Sequence, residues 1–103
     1  MRDRTIALGP GKADLLAAIR DHGSIADAAR SLGMSYMRAW SLVQTMNGAF
    51  REPLVATGRG GATQGGAQLT ANGRLALRLY RAMERDSRRA AAPHWRRLRA
   101  LLR

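Results

Sequence analysis

At 103 residues with 46% hydrophobic side chains, the chain has enough apolar mass for one folded domain with a modest core. Aromatics make up 5%, so aliphatic and alanine packing must fill that core. The lack of cysteine excludes disulfides and thiolate metal sites, and eighteen Lys and Arg against seven Asp and Glu leave a formal charge of +11 that favours a polyanionic partner.

The charge is uneven along the chain. Residues 1–73 hold eight cations and five anions, a net of +3, whereas residues 74–103 hold ten arginines against Glu84 and Asp86, a net of +8. No apolar run approaches the roughly 20 residues that span a bilayer. The N-terminal MRDRTIALGP lacks the apolar stretch of a secretory signal, so a cytoplasmic location without membrane contact is expected. His22 and His94 each lack a companion at ligand spacing, and no cofactor or metal is expected.

In chain order, Arg4–Leu8 reads as a brief strand closed by the turn signal Gly9-Pro10-Gly11. Residues Lys12 to His22 follow with Leu15, Leu16 and Ile19 at helical spacing, and Gly23 as the stop. His22 suits a helix terminus, where a cation favours the negative pole of the dipole.

The next stretch, SIADAARSLGMSYMRAWSLVQTMN from Ser24 to Asn47, has the pattern of two short helices joined by a tight turn. Ser24 caps the first, and Asp27 three residues on completes a capping-box-like pair. Ile25, Ala28, Ala29 and Leu32 give that helix one apolar face. Gly33 suits the left-handed conformation at a helix end, and Ser35 caps the second helix. The predicted buried stripe of the second helix is Ala39, Trp40, Val43 and Met46. Tyr36, Met37, Arg38, Ser41, Gln44 and Thr45 are left facing outward. Small alanines allow the two helices to cross closely, as a helix-turn-helix requires. Side chains near the N-terminus of a recognition helix reach deepest into the major groove. Arg38 therefore fits a bidentate guanine contact, worth about 1–3 kcal/mol of discrimination, or else a phosphate contact. Ser35 and Tyr36 fit a phosphate or a base edge, with Tyr36 against the core as the alternative. Met37, Ser41 and Thr45 complete the candidate reading face.

Gly48 is the expected end of that helix. Leu54–Thr57 and Ala67–Thr70 are two β-prone runs around a glycine-rich tip, Gly58-Arg59-Gly60-Gly61-Ala62-Thr63-Gln64-Gly65-Gly66. The tip has neither a GxxxxGK[ST] motif nor a GxGxxG opening a helix, which argues against a nucleotide site. A hairpin directly after a recognition helix reads as a wing, with Arg59 facing backbone phosphate or minor groove. Arg2 or Arg4 would add charge.

Thr70 is the expected N-cap of a long last helix with Leu75, Leu79 and Met83 on one apolar stripe. That stripe is longer than so small a domain can cover, which points to a homodimer using the same helix twice. Pro93 is expected to break or kink the helix, and Trp95, Leu98, Leu101 and Leu102 form a final amphipathic segment able to fold back onto the domain or its partner. The arginines beyond Arg85 form either a solvated face or a polyanion-binding one.

The sum of these readings is a mainly α chain with a small β-hairpin wing: a winged helix-turn-helix over 1–73, then a long dimerisation helix and basic tail over 74–103. The expected function is sequence-specific binding of double-stranded DNA in transcription regulation, with no small-molecule effector site in these residues. Two rivals are a nucleoid-type protein that reads no sequence and a protein-interaction module of a larger regulator. No paired carboxylates, metal cluster or nucleophile–base set suggests an enzyme.

The ordered landmarks LGP at Leu8–Pro10, GSIADAARSLGMSY at Gly23–Tyr36, AW at Ala39-Trp40 and MN at Met46-Asn47 carry a resemblance, continued by PLV at Pro53–Val55, the glycine-rich wing and LTANGRLALRLYR at Leu69–Arg81. Over roughly residues 4–85 the chain resembles the N-terminal winged-helix domain of ModE-type molybdate-responsive regulators and, more distantly, that of LysR-type regulators. The resemblance implies a homodimeric DNA-binding domain, with Ser35, Tyr36, Met37 and Arg38 at the groove-entering end of the recognition helix. Two departures stand out. Met37 and Arg38 replace the lysine and threonine of better-known members, which implies a different target sequence. The molybdate-binding domains of full-length members have no counterpart within these 103 residues.

Overall fold

In the computed structural model, which describes residues 8–58 and 66–103, a short helix precedes a helix-turn-helix, a two-stranded hairpin and a long helix. The strand expected at Arg4–Leu8 lies outside the described residues except for Leu8. Helix α1 spans Pro10–His22, starting two residues earlier than the spacing suggested. Proline is at home there, because the first turn of a helix has no acceptor for its missing N–H. Gly23 ends the helix in the left-handed region (φ 78°), its N–H donating to the Ile19 carbonyl at 2.9 Å.

Helix α2 is Ile25–Ser31 and helix α3 is Tyr36–Ala49. Ser24 caps α2, its Oγ accepting from the Asp27 N–H at 3.0 Å. The reciprocal half of the expected capping box is not used. Instead, the Asp27 carboxylate accepts from the Arg30 guanidinium at 2.7 Å. The turn is a full Schellman motif around Gly33 (φ 69°): the Gly33 N–H donates to the Arg30 carbonyl and the Met34 N–H to the Ala29 carbonyl. Leu32, expected on the buried face of α2, sits at the helix end and is 38% exposed. Met34, two residues on, packs against the core.

Strands β1 (Val55–Thr57) and β2 (Ala67–Leu69) pair antiparallel, with Val55 opposite Leu69 and Thr57 opposite Ala67. A two-stranded ribbon is marginal alone, and here both of its outer edges are tied to the helical body. On one edge the Ala67 N–H donates to the Gly23 carbonyl at 2.9 Å. On the other, Asn47 from the last turn of α3 accepts from the Leu54 and Val55 N–H groups at 2.9 and 3.1 Å. Its Nδ2 donates to the Val55 carbonyl at 3.1 Å.

Helix α4 spans Ala71–Arg99, capped by Thr70, whose Oγ1 accepts from the Gly73 N–H and donates to the Pro53 carbonyl. Only its first turns belong to the core, through Gly73 and Leu77 with Ala76 and Tyr80 alongside. A Cβ on Gly73 would collide with the Leu54 carbonyl, so glycine is what lets α4 lie against the strand. Arg81 clamps α4 to α1 by donating to Asp14 and to Glu84, each at 3.0 Å. These two carboxylates raise its pKa above the ordinary guanidinium value.

The fully buried side chains Leu15, Leu16, Ile19, Val43, Met46 and Leu54 form the centre of the core. Ala28, Ala29 and Ala39 are buried beside them and let α2 and α3 approach closely. Gly48 does not end α3, which continues to Ala49 before Phe50 turns extended. Pro93 does not break α4, which runs through it to Arg99. The Arg89 carbonyl that loses its donor sits on an exposed stretch, where solvent can reach it. Because the helix stays continuous, Trp95, Leu98, Leu101 and Leu102 are carried away from the body and do not fold back onto the domain.

Candidate nucleic-acid interface

The N-terminus of α3 is built by its cap. Ser35 is extended, and its Oγ accepts from the Arg38 N–H at 3.1 Å. This fixes the first turn and leaves Tyr36 and Met37 projecting from the start of the helix. Ala39, Val43 and Met46 turn inward and are fully buried. The opposite face then follows from helical geometry. Met37, Arg38, Ser41, Gln44 and Thr45 are all exposed along about two and a half turns. Among the described residues no carboxylate pairs with the Arg38 guanidinium, so it is available to an outside acceptor.

Trp40, expected in the core, is instead 43% exposed. Ala39, Val43 and Met46 already fill the narrow seam that α3 presents inward, and Trp40 falls at its edge. There it stands one turn above Tyr36. Both line a cleft with Ile25 and Ala26 of α2 and with Thr57, Gly58 and Gly66 at the root of the hairpin. The cleft joins three elements: the start of α2, the start of α3 and the wing. Arg59 lies outside the described residues, so its expected place at the tip has no structural counterpart here.

Asn47 is a positioning residue that the sequence did not single out. It touches no part of the exposed face, yet its three hydrogen bonds set where the hairpin stands relative to α3. The sequence hinted at it only as part of the MN landmark at Met46-Asn47, which gave it no role.

Leu75, Leu79 and Met83, the expected dimer residues, are 42%, 55% and 62% exposed on the side of α4 turned away from Leu77. Among the described residues no group of His, Asp and Glu has the arrangement of a metal site, and no helix is long and apolar enough to cross a membrane.

The description "bacterial regulatory helix-turn-helix protein, lysR family" matches residues 12–74, from α1 to the first turn of α4. Among characterised relatives, the molybdenum transport protein ModE of Azotobacter vinelandii is 45% identical over 78 residues, covering 76% of this chain and 29% of that protein. The molybdenum-pterin-binding protein MopA of Rhodobacter capsulatus is 44% identical over 70 residues, covering 68% of this chain and 26% of its own. The DNA-binding transcriptional dual regulator ModE of Escherichia coli K12 is 38% identical over 71 residues, covering 69% and 27%. The chain thus matches little more than a quarter of the length of these relatives. The expected likeness to ModE-type and LysR-type regulators is borne out. With the matched span taking in every element that builds the exposed face of α3, the chain belongs to the lysR family of bacterial regulatory helix-turn-helix proteins.

Proposed function

We propose that this chain regulates transcription by reading a specific sequence in double-stranded DNA with α3, and that it does so as a homodimer in the cytoplasm. The observation that carries the reading is the exposed face of α3. A serine cap orients its first turn, an unpaired arginine stands in that turn, and short polar side chains continue along it. A helix entering the major groove needs such a face, because long side chains along its whole length would hold it off the base edges.

Arg38 takes a guanine edge, Ser35 and Tyr36 hold the phosphate or base beside it, and Met37, Ser41 and Thr45 make the closer approach to the groove floor. Trp40, in the cleft below the hairpin, lies against the sugar–phosphate backbone. The wing, Arg59 included, reaches the flanking backbone or minor groove. Residues 1–73 supply the reading and residues 74–103 the pairing of two copies through Leu75, Leu79 and Met83, with the first turns of α4 shared between the two roles. A two-fold dimer then reads half-sites about one or two helical turns apart.

Selection of bound sequences from random duplex, followed by titration of the winner, tests the reading. The expected result is a near-palindromic site, on which Arg38→Ala causes a loss of affinity at least about tenfold greater than on random duplex. Equal losses on both would reduce Arg38 to a phosphate contact, and a failure to enrich any sequence would refute the reading.

A further inference from the structure

The reading face of α3 accounts for little of the chain's positive charge, whereas nine of its eighteen Lys and Arg residues lie on α4. At about 100° per residue, Arg74, Arg78, Arg81, Arg85, Arg88, Arg89, Arg96 and Arg99 all fall within an arc of about 100° along α4. Glu84 and Asp86 fall outside that arc, one on either side. Arg81 is paired with Asp14 and Glu84, Arg89 faces Asp86 at 3.6 Å, and Arg74 donates to the Leu69 carbonyl. The other five are exposed and make no hydrogen bond or ion pair among the described residues. A solvated helix face gains from alternating signs at i,i+4, and a single-sign stripe is destabilising for the helix. Such a stripe calls for an outside polyanion.

The position of the stripe indicates which polyanion. Where α4 meets the body, Arg74, Arg78 and Arg81 line a cleft with Arg20 of α1, over a floor of Leu69 and Leu77. Arg20 also lines the next cleft, below the hairpin, with Thr57, Gly58 and Gly66. Those last three residues line the cleft that holds Tyr36 and Trp40. Neighbouring clefts that share Arg20 and the hairpin-root residues Thr57, Gly58 and Gly66 therefore lie between the start of α3 and the arginine face of α4.

We propose that the arginine face of α4 is a second, sequence-independent binding surface for the phosphate backbone of duplex DNA, separate from the groove-reading face of α3. It rests on the DNA-binding reading only for the choice of duplex DNA among polyanions. The surface holds backbone flanking the stretch that α3 enters, and α4, about 44 Å long by its rise, lies along several successive phosphates.

The test compares the full chain with a variant carrying Arg78→Gln, Arg85→Gln, Arg88→Gln and Arg96→Gln. All four are exposed and unpaired, so the fold does not depend on them, and circular dichroism checks that it persists. Binding to random-sequence duplex is titrated across salt concentration. Each phosphate that is no longer neutralised lowers the slope of log K against log salt by about 0.9, so the variant should lose about 3 to 4 units. Arg97→Gln, on the other side of the helix, should leave the slope unchanged. An unaltered slope in the fourfold variant overturns the proposal. So does an equal effect per substitution from Arg97→Gln, which would mean bulk charge rather than a face. Tighter binding to single-stranded RNA than to duplex of the same length, or loss of binding to phosphatidylserine vesicles with DNA binding intact, would assign the face to another partner and overturn it as well. Arg38→Ala changes sequence preference without removing the effect of the fourfold variant, so a failure of the α3 reading remains distinguishable.

Discussion

Replacing Asn47 with alanine should loosen the hairpin's hold on α3 and, with it, the placement of the wing in the proposed interface. Three hydrogen bonds disappear: those from the Leu54 and Val55 N–H groups to Oδ1, and that from Nδ2 to the Val55 carbonyl. A typical intramolecular hydrogen bond contributes about 1 kcal/mol net, and a buried N–H left without an acceptor costs about 1–3 kcal/mol. Leu54 and Val55 are buried residues, so a loss of about 3 kcal/mol is expected. For a chain of this size that corresponds to roughly 12–24 °C in Tm. Urea denaturation followed by circular dichroism gives the loss directly. Asn47→Asp retains the acceptor for both N–H groups but sets a carboxylate against the Val55 carbonyl, so it should fall between alanine and the native residue. In a variant still folded at the assay temperature, DNA affinity should drop although no residue of the α3 face has changed. A change below about 0.5 kcal/mol for Asn47→Ala would show that water replaces the asparagine at no cost and that Asn47 is no clamp.

Other perturbations probe the rest of the fold and the interface. Gly73→Ala gains helix propensity of about 1 kcal/mol but drives its Cβ into the Leu54 backbone, so a net destabilisation of about 1–3 kcal/mol should appear in the same denaturation assay. Gly33→Ala forces a side chain into the left-handed region at the helix-turn-helix turn and should cost about 1–2 kcal/mol by urea titration. Trp40→Ala should lower DNA affinity in a fluorescence-anisotropy titration while costing less stability than a core truncation, because the ring is already 43% exposed. Leu75→Glu with Leu79→Glu should leave the helix content intact and convert a dimer to a monomer in sedimentation equilibrium.

The sequence by itself determined what is local. Ser24, Ser35 and Thr70 each cap a helix because a side-chain oxygen one position before the first turn meets an N–H that has no other partner. Gly23 and Gly33 end helices because only glycine enters the left-handed region without cost. The spacing of Ala39, Val43 and Met46 determined which face of α3 is buried, and so which face is left exposed. What the tertiary structure decided depends on groups far apart in the chain. Trp40 stands at the margin of the inward face taken by Ala39, Val43 and Met46 and lines the cleft at the hairpin root, a placement that periodicity alone does not give. Gly73 reads as an ordinary weak helix residue until Leu54 is found against it. Asn47 and the Gly23 carbonyl acquire their roles only when the hairpin edges arrive with N–H groups needing acceptors. Pro93 lies inside a helix that continues to Arg99, on an exposed stretch where the carbonyl it frees is open to solvent, and the sequence rule for proline does not say which turns are exposed.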